Sequence, residues 1–437
     1  MTASLLGFAV LLVLILVRVP IAFAMALVGY VGFALLVSWS AAGSMVAGTA
    51  YETGVSYTLS VVPLFVLMGN FVTRAGLSDE LYAASNAFLG HRRGGLAMAT
   101  VVACGGFSAV CGSSIATAAT MARVTIPSMR RYRYSDALAT GAIAAGGTLG
   151  ILIPPSVVLV LFGHMTETDI GKLFIAGLLP GILGVLLYMA AVKITVWRDP
   201  SAGPPAQRSD LEARWRAVRN TWAVLALFVL IIGGIYGGVF TPTEAAGIGA
   251  MGGFLIALAR RRLTFGVLVE ILIETVQTTA MLFFVLIGAI IFSNFISYAG
   301  LPDTLTAWIA ELHVAPLLVI FVMLCIYLLL GCILESLSMI LLTVPVFYPV
   351  VAGLQFTGIE PELVMVWFGI IVVVVTEISL ITPPIGMNVF VLKAMHPDIA
   401  TGTIFRGVTP FWLLDIVRLA ALVLLPGIAL YLPSLMA

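Results

Sequence analysis

The sequence is short of charge. Only 9% of its 437 residues are Asp, Glu, Lys or Arg, against about 25% in an ordinary soluble domain. So few charges cannot cover a folded surface, which excludes a water-soluble fold. A net charge of +1 excludes the strongly basic balance that nucleic-acid binding requires. Signals for catalysis and metal binding are equally scarce. His91, His164, His313 and His396 form no ligand spacing, and each falls near the boundary of an apolar run. Cys104, Cys111, Cys325 and Cys332 lie in apolar runs. Their spacing is no zinc pattern, so they are expected to be small buried hydrophobes. Gly171-Lys172 is followed by Leu173 and lacks the preceding glycine of a Walker A loop, which disfavours ATP-driven pumping within this chain. No zincin pattern and no nucleophile with a base at workable spacing points to an enzyme.

Apolar residues make up 61% of the chain. At roughly 20 residues per crossing, there is material for ten or more helices, which makes this a polytopic all-α membrane protein embedded in a lipid bilayer. Candidate crossings lie near 3–17, 20–38, 59–73, 136–166, 173–196, 220–239, 243–259, 277–299, 363–396 and 411–433. No basic residue precedes the first run, and a second follows directly after Arg18-Val19-Pro20. The first run therefore reads as a retained span rather than a signal peptide. Two further segments, 95–129 and 315–352, have polar or glycine-containing breaks at their midpoints.

Basic residues gather at His91-Arg92-Arg93, at Arg130-Arg131-Tyr132-Arg133, along 198–219 and at Arg260-Arg261-Arg262. The positive-inside rule assigns all of these to the cytoplasmic face. Both ends of segment 95–129 then lie on one side, so it must enter and return. It is too short for two full crossings with a turn, and a re-entrant hairpin is expected. From Leu263 to Leu392 there is no lysine or arginine, and the loops carry Asp303, Glu311, Glu360 and Glu362 instead. Alternating the spans puts 300–314 and 353–362 outside, so 315–352 enters from the opposite face. Both termini are then expected on the periplasmic side. The stretch 197–219, with Asp199-Pro200, Pro204-Pro205 and several arginines, reads as a cytoplasmic linker between halves 1–196 and 220–437.

The halves repeat an order. Thr125-Ile126-Pro127 matches Thr343-Val344-Pro345, the cysteine pairs match, and Pro154-Pro155 matches Pro383-Pro384. Each half has a broken hairpin (about 95–129 and 315–352), then a long apolar segment interrupted by Pro-Pro (about 136–166 and 363–396). Two such repeats entered from opposite faces form the inverted-topology architecture of secondary transporters. Substrate and coupling ions there sit near the midplane, at discontinuous helices. Half-helix N-termini offer N–H groups to an anion, and unwound carbonyls offer oxygen to a cation.

The first hairpin breaks at Cys111-Gly112-Ser113-Ser114-Ile115-Ala116-Thr117. Its hydroxyls and exposed carbonyls make either a hard-cation site or a cap on the second arm, and the two are compatible. The first interrupted helix reads Gly146-Gly147-Thr148-Leu149-Gly150 and on to Pro154-Pro155-Ser156, and its partner reads Ser379 to Asn388 with Thr382 and Asn388 at the break. Each is a break for ligands or a plain proline kink. Glu335 and Glu377 stand within apolar segments, where a carboxylate costs roughly 2.5–3.5 kcal/mol. Ion coupling, holding the hairpin loop, or a place nearer the interface would each explain them. Arg123 is expected near the cytoplasmic base of its hairpin.

These residues together resemble the large membrane (M) subunit of tripartite ATP-independent periplasmic (TRAP) transporters. The resemblance rests on Val62-Pro63-Leu64-Phe65, Gly112-Ser113-Ser114, Leu149 through Ser156, Phe240-Thr241-Pro242-Thr243-Glu244-Ala245-Ala246, Gly331-Cys332-Ile333-Leu334-Glu335, and Glu377 through Gly386. It implies an elevator-type transporter of the ion-transporter superfamily in the bacterial inner membrane, driven by a sodium gradient. It also implies a separate small four-helix membrane subunit (Q type) and a periplasmic substrate-binding protein (P type) that delivers an organic acid. By position, Ser113, Ser114, Gly147, Thr148 and Gly150 would form one Na+ site. Gly331, Glu335, Thr382, Gly386 and Asn388 would form the other. The carboxylate substrate would lie among Gly112, Ser114, Pro154, Pro155, Ser156, Pro383 and Pro384, with Glu377 in support. Glu335 stands where the family commonly has aspartate, and Ser379 where it has glycine. The alternative is a related sodium-coupled elevator carrier that takes its carboxylate without a binding protein. A channel would need rings of like charge, and none is seen.

Overall fold

A computed structural model describes residues 2–436, and among the described residues every regular element is helical. In chain order the helices are α1 (Thr2–Leu16), α2 (Ile21–Leu36), α3 (Trp39–Val55), α4 (Val61–Arg74), α5 (Leu77–Leu89), α6 (Gly95–Cys111) and α7 (Ser114–Arg131). The first half continues with α8 (Asp136–Thr148), α9 (Val157–Thr166) and α10 (Ile170–Arg198). The second half holds α11 (Leu211–Tyr236), α12 (Pro242–Ala259), α13 (Phe265–Tyr298), α14 (Leu301–Leu312), α15 (Pro316–Leu330) and α16 (Ser336–Ala352). It ends with α17 (Val364–Ser379), α18 (Met387–Met395), α19 (Thr401–Leu424) and α20 (Gly427–Leu430).

Among the described residues, six helices are long and apolar enough to cross a bilayer: α10, α11, α12, α13, α19, and α17 with the turn before it. Helices α3 and α4, with the turn between them, meet that test together but bend by 59°. The expected crossings at the N-terminal end are short. Helices α1 and α2 have 15 and 16 residues, or about 22–24 Å at 1.5 Å per residue against a ~30 Å hydrocarbon core.

Several boundaries differ from expectation, each for a local reason. Helices α3, α5 and α14 occupy stretches read as loops, because their mixed composition gives no long apolar run. Helix α13 starts at Phe265, not near 277. Glu270 and Glu274 interrupt the apolar pattern there, yet both pair with Arg74 of α4, at 3.1 and 2.5 Å. The linker shrinks to 199–210, because α10 runs to Arg198 and the Asp210 carboxylate accepts the Ala213 N–H at 2.8 Å to start α11. Arg214, Arg216 and Arg219 therefore sit on the first turns of a helix. Helix α19 starts at Thr401 and stops before Pro426. Of the cysteines, only Cys104 is buried; Cys111 and Cys332 are half-buried, and Cys325 is exposed on α15. Cys325 shares α15 with the exposed apolar side chains Phe321, Val322 and Leu329, company that suits a thiol, itself a small hydrophobe.

Two apolar cores organise the bundle. The larger joins α1, α2, α4, α9, the start of α10, α11–α13 and α15–α17, and takes in Ala109 and Val110 of α6 and Leu419 and Leu422 of α19. The smaller joins α5–α8, the end of α10, α18 and α19. Ile153 and Trp412 pack against both. Helix α17 lies deepest, with all its residues buried except Met365. Helices α8 and α19 cross with their backbones touching. A Cβ at Gly407 would lie 1.9 Å from the Ala137 carbonyl oxygen, and one at Gly141 would lie 2.2 Å from that of Gly407. Small residues at a helix crossing permit this approach.

Candidate functional site

The first hairpin turns at Gly112, which has φ +63°, a conformation that glycine adopts without penalty. Ser113 then caps α7, its hydroxyl accepting the Ala116 N–H at 3.4 Å. Ser114 is buried and donates its hydroxyl to the Thr148 carbonyl at 3.2 Å. That bond seats the hairpin tip on the end of α8. Close packing completes the junction. A Cβ at Gly150 would lie 2.8 Å from the Ser113 carbonyl oxygen, and one at Gly147 would lie 2.8 Å from the Ala118 side chain. Ser113, Ser114, Gly147, Thr148 and Gly150 thus share one place. Thr117 adds a buried hydroxyl whose polar neighbour is the Cys111 thiol, a weak hydrogen-bonding group. The Thr117 oxygen lies 3.0 Å from where a Gly150 Cβ would stand. Arg123, farther along α7, is exposed.

Beyond Gly150 the first helix breaks. Pro154-Pro155 is cis, and Ser156 closes the interruption. Its hydroxyl donates to the Ile151 carbonyl at 2.5 Å and accepts the Leu159 N–H at 3.3 Å, which caps α9. Ser156, Pro154 and Pro155 are buried, so the serine expected to meet substrate spends its hydroxyl on holding the break.

The second half differs. Pro383-Pro384 is also cis, but both prolines are exposed. Thr382 donates to the Ile378 carbonyl at 2.6 Å and accepts the Trp412 indole N–H at 2.9 Å. Gly386 has φ +58° and starts α18. Asn388 is fully buried; its amide donates to the Ala144 carbonyl of α8 at 3.0 Å, and its own carbonyl oxygen has no partner among the described residues. Gly331, at the second hairpin tip, abuts α17: a Cβ there would lie 2.1 Å from the Ser379 Cβ. Glu335 makes no hydrogen bond to Thr382, Gly386 or Asn388. It stands at the start of α16 and lines a cavity of about 50 Å³ with Gly112, Ser113, Ser114, Ile115 and Ser336. The two hairpin tips therefore face each other across this cavity, with Glu335 on its wall, while Cys332 of the same tip lies 3.8 Å from the Pro383 carbonyl at the second break. A space of this size holds a water or an ion.

Glu377 lies inside the protein, away from its surface. It is fully buried and pairs with Arg418 of α19 at 2.5 Å. Arg418 Nη2 also lies 3.0 Å from Asp415. Asp415 accepts the Tyr188 hydroxyl of α10 at 2.5 Å, and Tyr188 lies 3.0 Å from the Thr148 hydroxyl.

Residues 8–428 match the family described as "Tripartite ATP-independent periplasmic transporter, DctM component". The chain belongs to this family. It is 38% identical over 387 residues to the C4-dicarboxylate TRAP transporter large permease protein DctM of Pseudomonas aeruginosa, with 88% of each chain covered. To the sialic acid TRAP transporter large permease protein SiaM of Vibrio cholerae it is 33% identical, covering 93% of each. The fold resembles the crystal structure of the Alcanivorax borkumensis YdaH transporter, with TM-score 0.62, 16% identity, and 89% and 88% of the two chains covered.

This TRAP permease is a secondary transporter and not an enzyme. Sequence reasoning passed over Tyr188, Asp415 and Arg418. A signal was present: Asp415 and Arg418 are opposite charges three residues apart inside an apolar run, on one helix face. In a membrane segment such a pair faces the protein interior.

Proposed function

We propose that this permease performs sodium-coupled uptake of an organic acid across the bacterial inner membrane, as the transporting subunit of a tripartite system. The observation that carries the reading is the junction of hairpin tip and broken helix. There Ser114 bonds the Thr148 carbonyl at 3.2 Å, and the buried Thr117 hydroxyl has only the weakly hydrogen-bonding Cys111 thiol beside it. Carbonyl and hydroxyl oxygens at an interrupted helix are donors for an alkali cation. A poorly satisfied buried oxygen is costly unless something takes it up. Sodium is cargo here. Ser113, Ser114, Thr117, Thr148 and the carbonyls near Gly147 and Gly150 would hold one ion; Thr382, Gly386 and Asn388, whose carbonyl oxygen has no partner among the described residues, would hold another. Glu335 would act at the cavity between the tips. The anionic substrate would lie beside the exposed Pro383-Pro384 element and the tip at Gly112-Ser114.

The substrate class follows from relatives named for C4-dicarboxylates, sialic acid and 2,3-diketo-L-gulonate, all of them organic acids. Membership of the family supports a small membrane subunit and a periplasmic binding protein as partners. The meeting of both hairpin tips at one cavity supports an elevator motion in which the hairpins and broken helices slide as one domain past a fixed scaffold. Periplasmic termini follow from the charge map. Proteoliposomes holding the complete system test the reading. Labelled C4-dicarboxylate, sialic acid and 2-keto acid are offered with the cognate receptor under an inward sodium gradient. Uptake of one of them that collapses without sodium or without receptor is expected; uptake indifferent to both would overturn the proposal.

A further inference from the structure

Thr148 stands at the end of a chain of buried polar side chains that the binding of sodium and substrate leaves without a task. Its hydroxyl is 3.0 Å from Tyr188, whose hydroxyl donates to Asp415 at 2.5 Å. Arg418 joins Asp415 at 3.0 Å to Glu377 at 2.5 Å. Four helices contribute: α8, α10, α19 and α17. Tyr188, Glu377, Asp415 and Arg418 are all 0% exposed. Space for the guanidinium comes from Gly184, where a Cβ would lie 2.2 Å from Arg418 Nη1.

The cluster is not self-sufficient. Two carboxyl groups face one guanidinium, so inside an apolar bundle one of them either holds a proton or carries a charge that the guanidinium does not neutralise. Burying an uncompensated charge is costly, and a nearby cation relieves that cost. Glu377 Oε1, Arg418 Nε and Arg418 Nη1 also have no hydrogen-bond partner among the described residues. The chain of polar contacts ends at Thr148, whose hydroxyl also lies 2.7 Å from the Ala145 carbonyl and whose own carbonyl holds the hairpin tip through Ser114. At its other end Glu377 lies one turn before the second break, and its carbonyl accepts the Leu380 N–H at 3.2 Å.

We propose that Tyr188 and Asp415 are positioning residues for the cation site at Ser114–Thr148, and that Arg418 and Glu377 tie its occupancy to the second broken helix. This rests on the sodium-coupled reading above. Asp415 takes the Tyr188 proton, which leaves the Tyr188 oxygen to compete with the Ala145 carbonyl for the Thr148 hydroxyl proton, so the carboxylate sets the orientation of that hydroxyl while neither Asp415 nor Tyr188 touches the ion. A cation at Thr148 and the excess carboxylate stabilise each other, so sodium at the first site steadies α17 where it enters its break. By linkage, the arrangement of that break alters sodium affinity at the first site equally.

The test uses the purified full-length permease in nanodiscs, with thermal unfolding followed against sodium chloride. Choline chloride holds ionic strength constant. The readout is the sodium concentration giving half the maximal stabilisation, which does not depend on how much protein folds. Tyr188→Phe is expected to raise it about three- to tenfold, the range one hydrogen bond carries. Asp415→Asn, which removes the charge and keeps the volume, is expected to raise it by at least as much. Val375→Ala, a buried truncation in α17 outside the network, is expected to lower the unfolding temperature and leave the sodium midpoint in place. Wild-type protein that sodium fails to stabilise would defeat the sodium reading itself. Sodium-stabilised wild type with unchanged midpoints in both network variants would defeat only the positioning role. Failure of either network variant to fold would also defeat it, in favour of a purely structural one.

Discussion

Arg418 and Glu377 meet at 2.5 Å with neither side chain exposed. The pair pins α19 to α17, the most enclosed helix of the bundle. Its net worth is small against an apolar replacement, but its disruption is expensive, because the partner left behind is a buried charge. Arg418→Leu strands two carboxylates and is expected to destabilise the protein by about 3–5 kcal/mol. Glu377→Gln leaves Arg418 with Asp415 and is expected to cost distinctly less. Thermal and denaturant unfolding in one detergent ranks them. Equal losses would show that the pair is not the tie described here.

At the α8–α19 crossing the two backbones are in contact at Gly141 and Gly407. Gly407→Ala places a methyl 1.9 Å from the Ala137 carbonyl oxygen, and rigid backbone cannot move aside as a side chain would. Overpacking of this kind costs roughly 1–3 kcal/mol. Gly402→Ala, on the same helix with nothing within 4 Å of its Cβ, is the control expected to be neutral. A Gly407→Ala protein that melts with wild type would show that the helices part without cost.

Local chemistry explains what was legible in the sequence. Gly112, the double prolines and the flanking serines interrupt helices through their own backbone preferences, so both hairpin tips and both breaks could be read directly. The clustering of Ser113, Ser114, Gly147, Thr148 and Gly150 followed from motif resemblance and not from spacing. Long-range pairing stayed hidden. Nothing in the sequence matches Glu377 to a partner 41 residues away, or sets Tyr188 on Asp415 across 227. Helices α3, α5 and α14 were missed for a simpler reason: mixed composition hides a helix from any search for apolar runs. Glu270 and Glu274 likewise cut short the apparent start of α13, because their compensation by Arg74 lies on another helix.

Thr117 offers a separable test of the first cation site. Its buried hydroxyl has only the weakly hydrogen-bonding Cys111 thiol beside it, so replacing it with a methyl removes a poorly satisfied polar atom at nearly constant volume. Thr117→Val should leave unfolding in sodium-free buffer unchanged or slightly improved. If the oxygen serves a cation, the same variant loses most of the stabilisation that sodium confers. Thr117→Ser, which keeps the oxygen, should retain it. Identical sodium responses in Val and Ser variants would remove Thr117 from the site.

Arg130 fastens the end of the first hairpin to the loop after α18 through Asp398, and lies 3.4 Å from Asp136. The hydrogen bond from Arg130 holds the Asp398 carboxyl below its ordinary value, outweighing the opposing effect of burial. A carboxylate depressed in the folded state binds its proton more readily when unfolded, so stability rises with pH across that interval. The contribution is complete above the ordinary aspartate range and disappears as pH falls through the lowered value. Asp398→Asn abolishes it. The unfolding temperatures of wild type and variant should therefore differ near pH 6 and converge as the pH is taken below the usual aspartate range. The pair is exposed, with side-chain accessibilities of 40% and 58%, so salt screens it and the gap near pH 6 should narrow in concentrated choline chloride. A gap that persists unchanged at acid pH would mean that Asp398 acts through packing and not through its charge.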